Sequence, residues 1–190
     1  ELRFDQKILG DQLARNAVLE KMLHLLLAYE QEGLVSEVVA RGASFWENGI
    51  IIRGGQDDGI FTDFPVLSPQ GIIGFTKRCS SSHSDVMIIT NPGFAIAGRI
   101  QGTDVRGVIH GNGDPLLSFQ YVTVSAHVSV NDLVVSSGEE GIFPAEFNIG
   151  RVVKINKKGA VFQEILVTPS VDVSNLRFVF VLRKTGGEAQ

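Results

Sequence analysis

One short segment contains the residue types of a hydrolase catalytic triad. Residues 80–85 read Ser-Ser-Ser-His-Ser-Asp, which supplies hydroxyl nucleophiles, the base His83 and the carboxylate Asp85. A Ser–His–Asp enzyme needs these three groups within hydrogen-bond reach of one another. Neighbouring side chains on a strand point to opposite faces, and a polar run of this kind is typical of a loop. The segment is therefore predicted to be a surface loop and not an active site.

The other residues with catalytic or metal-binding chemistry are scattered along the chain. The remaining histidines are His24, His110 and His127, and none has a cysteine or a second histidine at metal-ligand spacing. The single cysteine, Cys79, has no intrachain disulfide partner and is expected to be buried and structural. The sequence has no Gly-x-Ser-x-Gly elbow and no Walker A loop. We expect no catalytic residue, no metal and no cofactor.

The charge of the chain argues against nucleic acid as a partner. The 190 residues have a formal net charge of −4 and no cluster of more than two lysines or arginines. Most nucleic-acid affinity comes from the counterions that such residues release from phosphates. Hydrophobic residues make up 44% of the chain, which is enough for a core, and the 21 glycines indicate many tight turns between short strands.

Residues 1–32 have the pattern of one long helix. Between residues 3 and 32 there is no proline, and leucines recur with alternating four- and three-residue spacing, as in a coiled coil. A second apolar stripe needs another partner, which the following domain would supply. The alternative is an amphipathic helix that packs on its own domain without forming a dimer. The predicted seam of a short dimeric coiled coil contains Leu9, Leu13, Asn16, Leu23 and Leu27.

After Gly33 the spacing of apolar residues changes to that of β-strands. About a dozen short apolar segments alternate with turn sequences such as Asn48-Gly49 and Lys158-Gly159. Many short strands without a second long helix predict barrels or sandwiches. The strongest loop signal, residues 111–115, is taken as a domain boundary. The predicted fold class is mainly β, with a coiled-coil helix over residues 1–32, β-barrel-like domains over 33–112 and 113–185, and a tail over 186–190; strand exchange between the two domains stays open.

The order of several short motifs resembles that of the MreC family of rod shape-determining proteins. The resemblance extends from the helix to the last strand, and the motifs are weak singly but specific as an ordered set. Asn131 departs from the pattern because a glycine is common there, and residues 146–148 replace a glycine-containing turn. The motifs are Ala40-Arg41, Ser44-Phe45-Trp46, Ile50-Ile51-Ile52, Asp58-Gly59-Ile60, Pro65-Val66, Gly71-Ile72-Ile73-Gly74, Thr90-Asn91-Pro92, Arg106-Gly107-Val108-Ile109, residues 131–138, Gly141-Ile142-Phe143-Pro144 and Ile149-Gly150-Arg151-Val152.

This resemblance implies a non-enzymatic scaffold of the cell-wall elongation complex. It implies a single-pass anchor in the bacterial inner membrane that precedes this chain, and a periplasmic or otherwise extracytoplasmic location for the barrels. It also implies homodimers that can form filaments, and binding to a class B penicillin-binding transpeptidase in company with MreD, RodA and the actin-like MreB. The expected function is to maintain rod shape by self-associating and by binding and activating peptidoglycan synthases.

Apolar residues in two predicted loops are candidate partner-binding residues, because aromatic side chains anchor interfaces. They are Phe45 and Trp46 in the first loop and Ile142 and Phe143 in the second. For each pair the alternative is packing within or between the barrels, with Phe143 closing a barrel end. Two other function classes remain: a chymotrypsin-like β-barrel hydrolase, active or degenerate, and a barrel-containing membrane-fusion adaptor module, which normally has a helical hairpin.

Overall fold

The computed structural model describes residues 32–42, 49–157 and 161–183, together with positions 16, 17 and 20. The strands are β1 (Gly33–Arg41), β2 (Gly49–Arg53), β3 (Pro65–Ser68), β4 (Gly71–Cys79), β5 (His83–Ile88), β6 (Ala95–Ile100), β7 (Arg106–His110), β8 (Leu117–Gln120), β9 (Leu133–Ser136), β10 (Asn148–Asn156), β11 (Glu164–Pro169) and β12 (Phe178–Leu182). They close into two barrels, ordered β1-β12-β3-β4-β5-β2 and β10-β11-β8-β7-β6-β9. Single-turn 3-10 helices, Gln56–Asp58 and Val173–Asn175, lie between strands.

The predicted helix over residues 1–32 lies almost entirely outside the described residues. Asn16, Ala17 and Glu20 are helical and exposed to solvent. Within the described part of the chain, no helix is both long enough and apolar enough to cross a membrane.

Alternating burial explains why the apolar segments form strands. In β2, Ile50 and Ile52 are buried inside the first barrel, whereas Ile51 points outward. In β11, Ile165 and Val167 are buried inside the second barrel in the same way. Side chains that alternate between two faces are what a strand in a barrel wall requires. The mainly β prediction with two barrels is confirmed.

The division of the chain between the barrels differs from the predicted boundary at residue 112. Strands β6 and β7 belong to the second barrel, and β12 belongs to the first. Residues 111–115 form a turn between β7 and β8 within the second barrel. The chain returns to the first barrel because β12 pairs with β1 on one side and with β3 on the other, which closes that sheet. The strongest turn signal thus marks a loop within a domain.

The two barrels pack against each other through a cluster of three phenylalanine rings. The ring centroid of Phe94 lies 5.7 Å from that of Phe75 in the first barrel and 6.2 Å from that of Phe143 in the second. Beside this cluster, Asn148 Nδ2 donates a hydrogen bond of 3.1 Å to the Gln70 carbonyl oxygen. Apolar packing and a polar contact together hold the barrels in one relative orientation.

The loop between β9 and β10 carries Phe143 to this interface. The Ser136 hydroxyl donates a 2.6 Å hydrogen bond to the Pro144 carbonyl oxygen and so fastens the loop to β9. Partial burial raises the pKa of Glu140 in this loop to about 7, and the neighbouring carboxylate of Glu139 contributes to the rise. The folded loop therefore holds a proton on Glu140 more tightly than the unfolded chain does.

Replacing Phe143 with alanine is expected to lower the free energy of unfolding by about 3–5 kcal/mol, because it leaves a cavity between the barrels. Chemical denaturation measures the change. Phe162→Ala is the matched control, since it removes an exposed ring, and it should cost less than about 1 kcal/mol. Equal losses in the two variants would contradict the role of Phe143 in barrel packing.

Glu140→Gln is expected to stabilise the protein at pH 8 and to have little effect at pH 5. Because the folded-state pKa of Glu140 is raised to about 7, the wild type loses stability as pH rises through that value, whereas glutamine stays neutral. The gain should be about 1 kcal/mol or less because the group is partly solvated. Thermal unfolding of both proteins at the two pH values measures it. A variant that is less stable than the wild type at pH 8 would contradict the destabilising effect of the ionised Glu140.

Candidate functional site

Most of the exposed large apolar side chains lie on the second barrel. Among the described residues eight large hydrophobic side chains are exposed, and five of them belong to the second barrel. A cluster of exposed apolar groups is a feature of binding surfaces, whereas isolated ones are ordinary. The five are Tyr121, Val130, Val153, Val161 and Phe162.

A β-bulge presents Tyr121 on this surface. Phe119 pairs with Ile165 within the β8–β11 ladder, and Thr123 pairs with Phe162 beyond it. The three residues 120–122 therefore oppose the two residues 163 and 164, so the segment after β8 contains one extra residue. Tyr121 lies among those three and has a φ of 64°, in the left-handed region. Bulges redirect side chains in this way, often next to functional sites.

The bulge places the ring of Tyr121 against that of Phe162. Their centroids are 5.8 Å apart and the rings meet edge to face at 83°. Both remain accessible, with 58% of Tyr121 and 45% of Phe162 exposed. Edge-to-face contact is a favourable arrangement for aromatic rings. Together with the exposed Val161, the two rings form a surface that we name the aromatic bulge patch.

Backbone strain at Tyr121 indicates that this arrangement is held by its surroundings. A non-glycine residue in the left-handed region costs about 1–3 kcal/mol and persists only where neighbouring contacts enforce it. Two backbone hydrogen bonds flank the bulge: Gln163 N–H donates to the Val122 carbonyl at 2.9 Å, and Val124 N–H donates to the Val161 carbonyl at 3.0 Å. Backbone hydrogen bonds thus tie the patch to the barrel on both sides of the bulge.

The patch has the chemistry of a protein-binding surface. Tyrosine and phenylalanine contribute large, rigid contact areas, and tyrosine adds a hydroxyl group that can hydrogen-bond at the rim of an interface. Both described sheets are closed barrels, so they offer a partner no free strand edge for β-sheet extension. Contacts to a partner would therefore come from loops and from side chains such as those of this patch.

The sequence pattern did not identify Tyr121 and Phe162 as site residues. Leu117 and Phe119 are buried, and strict alternation would place Tyr121 on the same inward face. The bulge shifts the register by one residue, so that Val122 turns inward with 1% exposure and Tyr121 points outward. Nothing in the local sequence indicates this shift, because the residue with positive φ is not a glycine.

The residues predicted from sequence to bind partners lie elsewhere. Phe143 is only 3% exposed and packs between the barrels, so it offers no surface to a partner, and Ile142 is half-buried against the same core. Phe45 and Trp46 lie outside the described residues.

Four of the predicted dimerisation residues also lie outside the described residues, whereas the fifth, Asn16, is helical and exposed. The four are Leu9, Leu13, Leu23 and Leu27.

The segment with triad-like composition forms an exposed turn and the start of β5. The Ser82 Oγ atom lies 2.9 Å from His83 Nδ1. The carboxylate of Asp85 instead accepts hydrogen bonds from Arg78, at 3.0 Å from Nε and 2.8 Å from Nη2. His83 thus contacts a hydroxyl group while the carboxylate is bound to a guanidinium group, which differs from the chain of contacts in a catalytic triad.

The remaining reactive side chains are dispersed over both barrels. Cys79 is half-buried and packs against the core of the first barrel. His110 is half-buried and His127 is exposed, both on the second barrel. Within the described ranges no three His, Cys, Asp or Glu side chains gather as metal ligands do.

Comparison with known proteins gives matches to one family. The family model described as "Rod shape-determining protein MreC, barrel core" matches residues 38–183. The cell shape-determining protein MreC of Escherichia coli is 25% identical over 178 residues, which are 92% of this chain and 48% of that protein. The chain spans about half the length of the curated relatives it matches.

Solved structures agree with this match. The crystal structure of MreC from Pseudomonas aeruginosa aligns with a TM-score of 0.76 at 27% identity, and covers 79% of this chain and 98% of that one. A complex between a penicillin-binding protein, PBP2, and MreC from Helicobacter pylori contains a chain with a TM-score of 0.60 at 16% identity, covering 82% and 99% of the two chains. At that identity only the fold is shared. Because the family model extends over both barrels and most of the sequence, this chain belongs to the MreC family of rod shape-determining proteins.

Proposed function

We propose that this chain is the extracytoplasmic part of a cell-shape scaffold and binds a class B penicillin-binding transpeptidase through the aromatic bulge patch. The observation that carries the proposal is the exposed, edge-to-face pair of Tyr121 and Phe162 on the second barrel. A relative with the same fold, from Helicobacter pylori, forms a complex with a penicillin-binding protein. The relatives are named as cell shape-determining proteins.

The position of the patch suits a scaffold. Ala95, which follows Phe94, pairs with His110, and His110 pairs with Ser118 of β8. Tyr121 comes after the other end of β8. The patch therefore lies toward the end of the second barrel away from the ring cluster, where a bound partner leaves the barrel interface free. A partner that binds an active conformation of its enzyme more tightly than an inactive one shifts the enzyme toward the active state. The scaffold thereby activates peptidoglycan synthesis without taking part in bond formation, and it needs neither a cofactor nor a catalytic residue.

Self-association places several copies of this surface close together. The proposed dimer forms through the seam of Leu9, Leu13, Asn16, Leu23 and Leu27, and further contacts extend the dimers into filaments. A membrane anchor outside this chain would hold the assembly on the extracytoplasmic face of the inner membrane. MreD, RodA and MreB complete the proposed complex. Repetition of one docking surface along such an assembly increases avidity for the synthase.

Tyr121→Ala and Phe162→Ala are each expected to weaken binding to the extracytoplasmic region of the cognate transpeptidase by about 10- to 100-fold, as loss of an aromatic anchor does. Isothermal titration calorimetry with the 190-residue chain measures the affinity. Phe61→Ala is the matched control, because Phe61 is also an exposed ring but lies on the first barrel. The affinity of the Phe61→Ala variant for the transpeptidase should equal that of the wild type.

Two results would overturn the docking proposal. If the wild type binds and both patch variants bind equally well, the partner uses another surface. If the wild type shows no binding to the cognate transpeptidase, the proposed function itself is wrong.

The 190-residue chain is expected to sediment as a dimer, and a chain that begins at Gly33 is expected to sediment as a monomer. Leu23→Asp should also give monomers because it places a charge in the apolar seam. Ala17→Asp is the control, since Ala17 is exposed on the helix and outside the predicted seam. Sedimentation equilibrium measures all four. An unchanged dimer after removal of residues 1–32 would exclude the helix as the dimer interface.

A further inference from the structure

Gln163 hydrogen-bonds the chain segment that contains Phe162 to the segment that follows Tyr121. It follows Phe162 directly, and its side chain points the opposite way, into the barrel, where only 2% of the residue is exposed. Its Nε2 atom donates to the carbonyl oxygens of Thr123 at 2.9 Å and Ala126 at 3.1 Å. Its backbone N–H donates to Val122 at 2.9 Å. One residue thus holds three carbonyl groups between Val122 and Ala126.

The orientation of the Gln163 amide is determined by these contacts. Two carbonyl oxygens face Nε2, and a reversed amide would place Oε1 against two other acceptors. In the present orientation Oε1 is buried, and no donor among the described residues reaches it. An apolar side chain would avoid this unsatisfied buried oxygen. Packing therefore does not explain the amide, and the two bonds from Nε2 do.

The held segment is a tight turn attached to Tyr121. The Ala126 N–H donates to the Thr123 carbonyl at 3.0 Å, so both Nε2 acceptors lie at the two ends of one turn. Tyr121 begins this segment in the left-handed conformation, which a non-glycine residue leaves when its surroundings permit. The Gln163 side chain therefore holds the turn that begins two residues after Tyr121.

We propose that Gln163 is a positioning residue for the docking surface. Its amide holds the turn after Tyr121, keeps Tyr121 in the left-handed conformation and keeps its ring against Phe162 before any partner arrives. A surface ordered in advance loses less conformational entropy on binding, so the amide raises affinity without touching the partner. This inference rests on the proposed function for its effect on affinity, whereas its effect on Tyr121 is independent of any partner.

The first test uses Gln163→Met in the 190-residue chain, because methionine has a similar length and no donor. Nuclear Overhauser contacts between the Tyr121 and Phe162 rings, and the backbone coupling constant of Tyr121, report the position of the ring. We expect the ring contacts to disappear in a chain that remains folded. Gln120→Met is the matched control: Gln120 is an exposed residue of β8, and its substitution should leave the contacts intact. Unchanged contacts in Gln163→Met would overturn the proposal.

The second test measures affinity for the transpeptidase in two backgrounds. Gln163→Met should weaken binding on the order of tenfold when Tyr121 is present, as expected for one or two side chains that lose their preorganisation. In a Tyr121→Ala background it should have no further effect, because Gln163 acts through Tyr121. An equal loss in both backgrounds would show a general structural role and overturn the inference.

A second variant and a partner-independent measurement cover the two cases in which these tests would fail. If Gln163→Met does not fold, Gln163→Asn replaces it, since the shorter amide cannot reach both carbonyl groups while polarity is retained. If the wild type does not bind the transpeptidase, the proposed function fails, and the ring contacts alone then decide whether Gln163 positions Tyr121.

Discussion

Closure of the first barrel by β12 is the constraint on which the arrangement of the molecule depends. β12 lies at the far end of the described chain, yet it fills the space between β1 and β3. The fit is close: a Cβ atom on Gly33 would lie 2.1 Å from the ring of Phe180 and 2.4 Å from the Val181 carbonyl oxygen. Without β12 the edges of β1 and β3 would be unpaired, and closing a barrel removes such edges.

This closure makes the second barrel an insertion in the first. The chain leaves the first barrel after β5, builds the six strands of the second and returns through β12. Two chain segments and the phenylalanine cluster therefore connect the barrels. Close backbone approach adds to this, because a Cβ atom on Gly71 would lie 2.3 Å from the Asn148 carbonyl oxygen. The aromatic bulge patch, at the outer end of the second barrel, is consequently presented in a defined direction.

Membership in the MreC family does not by itself locate the binding surface of this chain. The family match identifies the barrel core and the class of protein, but distant relatives with one fold need not share a binding surface. In this chain the surface is distinguished by the strained Tyr121, its contact with Phe162 and the buried Gln163 that follows Phe162. A closed barrel offers no free strand edge, so the proposed docking surface depends on the register shift that turns one aromatic residue outward.

The sequence by itself determined the strands, the turns and the family. Alternation of apolar residues predicts strands, and the ordered set of short motifs indicates the MreC family. Tertiary structure decided which strands close which barrel, because the pairing of β1 with β12 joins residues far apart in the chain and leaves no local signal. It also placed Phe143 between the barrels, which an apolar turn cannot indicate alone. The left-handed Tyr121 depends on backbone contacts and the Gln163 amide, so its outward direction is a property of the folded barrel.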